Sequence, residues 1–166
     1  MTEDEVLLVN RTARTGLTNA VTPRYIIESL QQMRKTSILD YGAGPKALHT
    51  HLLRKHFSHV DAYEIGKNVT PGLHVKLKSW WSYDVVMASN VLNVQPDLDC
   101  LHATLDHIYS HLRPWGMMIA NFPKGPRKIK LTDTQMWDLL RIHFQSIEIT
   151  SYKKTVIFVG YKGESK

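Results

Sequence analysis

The 166-residue chain is long enough for one domain with a real core, and 43% hydrophobic against 22% charged residues excludes a disordered protein. No stretch reaches the roughly 18 apolar residues that a membrane span needs. The acidic start, Met1-Thr-Glu-Asp-Glu5, lacks the apolar run of a secretory signal, and the single cysteine, Cys100, excludes an internal disulfide. These features predict a cytoplasmic protein with no membrane contact, in one domain over 1–166 with 1–21 as an N-terminal extension. A net charge of +6 and a pI near 9.4 lean toward acidic partners.

Thr22-Pro23 reads as a helix cap followed by proline in the first turn. The predicted helix covers 24–34, with Tyr25, Ile26, Ile27, Leu30 and Met33 as its buried stripe. Residues 37–41 form a short apolar strand. A helix follows over 46–57 with Leu48, Leu52 and Leu53 inward, then a strand over 59–64 and a short strand near 74–77. The continuous apolar run 83–89 suits a strand buried on both faces. Residues 97–112 read as a helix with Leu98, Leu101, Leu105, Ile108 and Leu112 on one side. Pro114-Trp115-Gly116 is expected to break the chain before a strand over 116–122. A helix over 132–144, with Thr132 as cap, and two closely coupled strands, 145–152 and 154–161, complete the order. Alternating strands and helices predict an α/β fold: a Rossmann-like, doubly wound, mostly parallel sheet with helices on both faces. The last two strands predict a C-terminal antiparallel hairpin.

The densest chemistry is in Asp40-Tyr41-Gly42-Ala43-Gly44, where a strand runs into an acid and two glycines. Glu64 follows about 20 residues later at the end of the next strand. Glycines there permit a tight turn and close backbone approach, and Glu64 can accept from both hydroxyls of a ribose. Gly42-x-Gly44-x-x-Ala47 also satisfies a dinucleotide pattern. S-adenosylmethionine is the better fit. Asp40 would repel a pyrophosphate but pair with the ammonium of a methionine, a helix precedes the first strand, and no length remains for a separate substrate domain. The alternative is a turn that only shapes the chain.

On these residues the chain resembles class I, Rossmann-like S-adenosylmethionine-dependent methyltransferases over about residues 22–161. Asp40 to Gly44 matches the family's first motif, Glu64 its ribose-binding acid and 83–90 its fourth motif; Lys46 stands where the third glycine of the first motif usually falls. The resemblance implies a cofactor site of Asp40, Tyr41, Gly42, Ala43, Gly44, Glu64, Ile65, Ala88 and Ser89. It also implies that Trp80 or Trp81 borders the adenine.

The acceptor side is less distinctive. Ser89-Asn90-Val91-Leu92-Asn93 carries neither the proline pair and aromatic residue of amine-methylating relatives nor a nucleophilic cysteine; Cys100 lies within the next helix as a core thiol. Asn90 and Asn93 are the catalytic candidates, since a side-chain carbonyl could orient a nucleophile without taking its proton; capping of the following helix is the alternative. The phrase 89–94, with 121–128, is similar to small methyltransferases of phages and of DNA-modification gene clusters. Three activities fit: methyl transfer to nucleic acid or a small molecule, degradation of S-adenosylmethionine, and a non-catalytic binding module.

Outside this core, Lys124, Arg127, Lys128 and Lys130 would meet nucleic-acid phosphates, although no aromatic residue interleaves with them as a stacking platform. The bland reading is a solvated loop. Arg11, Arg14 and Arg24 form a looser basic group. His107 and His111 have the spacing of a zinc pair on a helix but lack a third ligand, and read as a surface pair with no metal. His49 and His51 fall on different helix faces.

Overall fold

The computed structural model describes residues 2–12, 21–33, 36–77, 82–123 and 128–164. Trp80, Trp81, Arg14, Lys124, Arg127 and the end of the helix predicted to reach Arg34 lie outside the described residues.

Among the described residues six strands form one sheet in the order β2-β1-β3-β4-β6-β5. They are β1 (Ser37–Tyr41), β2 (His59–Tyr63), β3 (Tyr83–Ala88), β4 (Leu112–Asn121), β5 (Ser146–Tyr152) and β6 (Thr155–Tyr161). β2, β1, β3 and β4 pair in parallel, whereas β6 runs antiparallel to both β4 and β5. Lys153 and Lys154, at φ of 47° and 64°, join β5 to β6 in a two-residue turn of the twist that hairpins favour. The strand expected at 74–77 reduces to one parallel bridge, Ala62 to His74.

Among the described residues five α-helices accompany the sheet: α1 (Glu3–Thr12), α2 (Val21–Leu30), α3 (Leu48–Leu53), α4 (Leu98–His111) and α5 (Asp133–His143). α2 and α3 cover one face, packing Ile26, Leu30 and Leu53 on Ile38, Val85 and Met87. α4 and α5 cover the other, packing Leu101, Leu105, Ile108, Met136 and Leu140 on Leu39, Val86 and Met118. Successive side chains of β1 thus serve opposite faces: Leu39 and Tyr41 look toward α4, Ile38 and Asp40 toward α3.

Several boundaries depart from the sequence reading. α2 ends at Leu30, so Met33 is 55% exposed rather than buried. α3 spans only six residues and turns Leu48 outward, burying His49 and Thr50 instead, because Thr50 hydrogen-bonds Asp40 across the helix–strand interface at 2.6 Å. Leu98 is exposed, since α4 starts there under an Asp97 cap that accepts from the Cys100 N–H. β4 runs through Pro114-Trp115-Gly116 without stopping. Its register to β3 jumps from Tyr83↔Leu112 to Val85↔Met117, so the proline, which has no N–H to give, falls in the bulge. α5 carries the predicted Thr132 cap as a reciprocal capping box with Gln135.

Lys162, just past β6, is buried and donates from Nζ to the carbonyls of Tyr109 and Leu112, satisfying the C-terminal end of α4. At the other end of the sheet, Asp84 accepts from the Ser37 N–H and hydroxyl at 2.8 and 2.7 Å and pairs with Arg113 at 3.2 Å. Among the described residues no helix is long and apolar enough to cross a membrane.

Candidate active site

β1, β2 and β3 end side by side, and the first turn after β1 is shaped by its glycines. Gly42 has φ +72°, and a Cβ there would sit 2.7 Å from Val91 Cγ2 in the segment after β3. Only glycine lets these two strand ends close on each other. Gly44, at φ +73°, faces open space, with nothing within 4 Å of an added Cβ. The turn is tied to the end of β2, since the N–H groups of Gly42 and Ala43 both donate to the Tyr63 carbonyl at 2.9 and 3.0 Å.

Glu64 closes the same corner. Its Oε2 accepts from the Gly44 N–H at 2.7 Å and its Oε1 from the Ile65 N–H at 2.8 Å, leaving each oxygen a further lone pair. Burial raises its carboxyl above the ordinary range, partly offset by those two N–H groups and by His74. His74 holds the glycine turn from outside. Its Nδ1 accepts from the Thr70 N–H, so the ring proton is on Nε2, which donates to the Gly44 carbonyl at 2.9 Å.

Asp40 lies beneath the turn and is 1% exposed. Its Oδ2 accepts the Thr50 hydroxyl, while Oδ1 is buried without a partner. Burial raises its carboxyl despite the Thr50 bond and the neighbouring His49. Ser89 Oγ, just past β3, is likewise buried and unpartnered. Two strand ends therefore present buried polar atoms with no hydrogen-bond partner among the described residues, open to a water or a ligand.

A cavity of about 430 Å³ opens beside the turn, on the α4 face. It brings together Tyr41, Gly42, Glu64, Ile65 and Asn90 of the predicted site. Asp40, Ala43, Gly44, Ala88, Ser89 and Asn93 are not in its wall. Asp40 faces α3; Ala43 packs with Ala47 and Ala62; Ala88 and Asn93 are buried in the core. Asn90, at φ +58°, is clasped by Asn121, and Asn93 receives the Lys128 N–H on its carbonyl at 3.1 Å.

The wall also holds residues that sequence reasoning missed. Tyr63 and His107 are the additions, and with the expected Tyr41 they pack as an aromatic cluster with ring centroids 5.0 to 5.6 Å apart. His107 Nδ1 meets the Tyr41 hydroxyl at 2.8 Å and its Nε2 meets His111 Nε2 at 3.2 Å. The expected surface pair is thus corrected: His111 is 5% exposed and His107 lines the cavity. Burial lowers the His107 pKa and His111 adds to this, so its ring favours the neutral form. The signal in the sequence was the pair of tyrosines at neighbouring strand ends, both on the face that α4 covers. Val6 of α1 also lines the cavity, and α1 packs on the 3₁₀ turn at Gly66–Asn68. Cys100 is buried as expected. Its thiol is pushed up to about 12, by burial first and by Asp97 and Glu5 next.

A family model described as a methyltransferase domain matches residues 12–165. Among solved structures, the chain is similar to the 1,6-didemethyltoxoflavin-N1-methyltransferase of Burkholderia thailandensis, solved with 1,6-didemethyltoxoflavin and S-adenosylhomocysteine. That likeness has 20% identity, covers 89% of this chain and 80% of that one, and has a TM-score of 0.67. A TehB-like S-adenosylmethionine-dependent methyltransferase from Corynebacterium glutamicum is 17% identical, with 90% of each chain covered and a TM-score of 0.60. An amino pentose methyltransferase from Micromonospora echinaspora, bound to S-adenosylmethionine, is 16% identical over 100% of this chain and 71% of that one, with a TM-score of 0.50. No curated protein matches the sequence significantly. At these identities the solved structures establish the fold, and the family model establishes membership: the chain belongs to the methyltransferase domain family, whose cofactor is S-adenosylmethionine.

Proposed function

We propose that this protein transfers a methyl group from S-adenosylmethionine to a small-molecule acceptor. The observation that carries the reading is the buried, unpartnered Oδ1 of Asp40 beneath a glycine turn that faces open space. A buried carboxylate oxygen without a donor is costly, and a cofactor bearing an ammonium supplies that donor, directly or through a water. The residues present therefore fit the cofactor. Asp40, beneath the turn, would reach its ammonium through a water, and the spare lone pairs of Glu64 would accept its ribose hydroxyls. Ala88 and Ser89 would border its methionine. Ile65, Tyr63 and Val91 would offer its adenine an apolar, aromatic wall. The bound cofactor would supply a methyl group activated on a sulfonium. The chain's part is to fix the donor and aim an acceptor already nucleophilic.

The small-molecule reading is supported by a cavity with Val6 of α1 in its wall, and by two structural relatives named for a heterocyclic and an amino pentose acceptor. A nucleic-acid acceptor, in a phage or DNA-modification setting, is favoured instead by the net charge of +6 and the exposed Lys128 and Lys130. Removing the charges of Lys124, Arg127, Lys128 and Lys130 would then lower DNA or RNA affinity and flatten its salt dependence; unchanged binding leaves the small molecule. The single buried cysteine suits a reducing compartment, and we assign the protein to the cytoplasm.

Calorimetry with S-adenosylhomocysteine tests the cofactor site. One molecule is expected to bind per chain, and Glu64→Ala to weaken it about tenfold or more through two lost hydrogen bonds to a charged group. Unchanged affinity sinks the ribose assignment. Absence of binding to the wild type leaves a non-catalytic module, and loss of S-adenosylmethionine without any acceptor identifies a degrading enzyme.

A further inference from the structure

The side chains of Asn90 and Asn121 meet head to tail beyond the C-terminal ends of the adjacent parallel strands β3 and β4. Asn121 Oδ1 accepts the backbone N–H of Asn90 at 2.7 Å, and Asn121 Nδ2 donates to Asn90 Oδ1 at 2.8 Å. The oxygen and nitrogen of a side-chain amide have nearly the same shape, so their assignment ordinarily rests on the surrounding network. Here the backbone settles it. A backbone N–H only donates, so the Asn121 atom that meets it is the oxygen. The other Asn121 atom is then the NH₂, which only donates, so the Asn90 atom that meets it is again the oxygen. Asn90 Nδ2 is the atom left over. It has no partner among the described residues, on an exposed side chain that lines the cavity. Asn121 is 4% exposed, so the clasp is held from the core side.

We propose that Asn90 offers the methyl acceptor a hydrogen-bond donor, and that this acceptor therefore carries a lone-pair-bearing oxygen or nitrogen, neutral or anionic, at or beside the atom to be methylated. The inference rests on the methyltransferase reading and narrows it from any acceptor to a class. It also adds to the role expected of Asn90 from sequence: one lone pair of its carbonyl is taken by Asn121, whereas both N–H groups of its amide are open to the substrate.

The remaining wall supports the same class. Both ring nitrogens of His107 are engaged, one by the Tyr41 hydroxyl and one by His111. Gln95 spends its NH₂ on the Val91 carbonyl and its oxygen on the Thr104 hydroxyl. Tyr41 and Tyr63 are raised above ordinary phenols by burial, and Glu64 is bound by two backbone N–H groups at the ribose corner. No described wall residue offers an uncommitted base to strip a neutral hydroxyl or an ammonium. A substrate that arrives as an enolate or phenolate leaves no proton for the protein to place.

The test uses the full chain loaded with S-adenosylhomocysteine and two neutral aromatic probes of similar size. Acetophenone only accepts hydrogen bonds, whereas aniline has N–H groups to donate. Ligand-observed NMR at millimolar concentrations is expected to show acetophenone bound about fivefold more tightly, one hydrogen bond's difference, and to shift the Asn90 side-chain amide resonance. Asn121→Asp replaces the donating NH₂ with oxygen, which turns Asn90 over and presents its carbonyl; the order of the two probes then inverts although Asn90 itself is unchanged. Asn121→Leu removes the clasp and abolishes the preference. Equal affinities in the wild type, failure of either probe to bind, or an unchanged order in Asn121→Asp overturns the inference. S-adenosylhomocysteine affinity separates the two levels. If it is intact while the probes fail to discriminate, only this inference falls; if it is absent, the methyltransferase reading falls with it.

Discussion

Asp40 and Asp84 stand on neighbouring parallel strands at opposite ends of the sheet, and their surroundings differ in kind. Asp84, at the start of β3, collects an N–H and a hydroxyl from Ser37 and a guanidinium from Arg113. Those partners hold its carboxyl below the ordinary value of 3.8 although burial pushes the other way. Asp40, near the end of β1, has the Thr50 hydroxyl on one oxygen and no partner on the other among the described residues, and its carboxyl is raised. One carboxylate stitches two strands together. The other is left incomplete by the protein, at the end of a parallel sheet where such folds bind ligands.

Substitution should separate the two roles. Asp40→Asn keeps an oxygen for the Thr50 hydroxyl but removes the buried charge. It is expected to cost about 2 kcal/mol or more of S-adenosylhomocysteine affinity, as for loss of a hydrogen bond to a charged group, while the melting temperature holds or rises. Retained affinity would erase the distinction between the ends. Gly42→Ala sharpens it from the backbone side: a side chain at φ +72° that also meets Val91 should cost about 1–3 kcal/mol in denaturant unfolding. Val91→Ala should restore only the part due to the clash.

Asp84→Asn is expected to lose about 1–2 kcal/mol of stability with cofactor affinity unchanged. The pH dependence is the smallest effect and has opposite signs at the two ends. Stability from Asp84 is present above its unfolded value near 3.8 and is lost as pH falls through its lower folded value. For Asp40 and Glu64 the folded values are raised, so their cost to stability is relieved on acidification, while cofactor affinity declines at a higher pH than ordinary carboxylates would give. Parallel acid titrations of stability and of affinity check both.

What could be read from the sequence follows how local each signal is. β1 has its predicted bounds because apolar residues, an acid and a glycine are contiguous there. The Thr132 cap needs only three neighbouring residues to form. α3 was overextended because its buried face is chosen by Asp40, on another element, rather than by the leucines. The Asn90–Asn121 clasp joins residues 31 apart and the Tyr41–His107 contact residues 66 apart. Both depend on which strand ends and helix faces become neighbours, information carried by the sheet order and not by any short stretch. The carboxylates of the donor side were legible as residue types; the polarity of the acceptor side was not, because it is decided by a chain of hydrogen bonds that begins at a backbone N–H.

Lys162 gives the molecule a further property, in the time domain. The carbonyls of Tyr109 and Leu112, at and just past the end of α4, are bonded by an ammonium 50 positions beyond Leu112, on the far side of α5 and the terminal hairpin. The helix that carries His107 therefore gains this last tie only when the chain after β6 reaches it. A contact of such sequence separation is expected to form late in folding. Lys162→Met should leave the folding rate nearly unchanged and hasten unfolding, the kinetic mark of a contact that forms after the barrier.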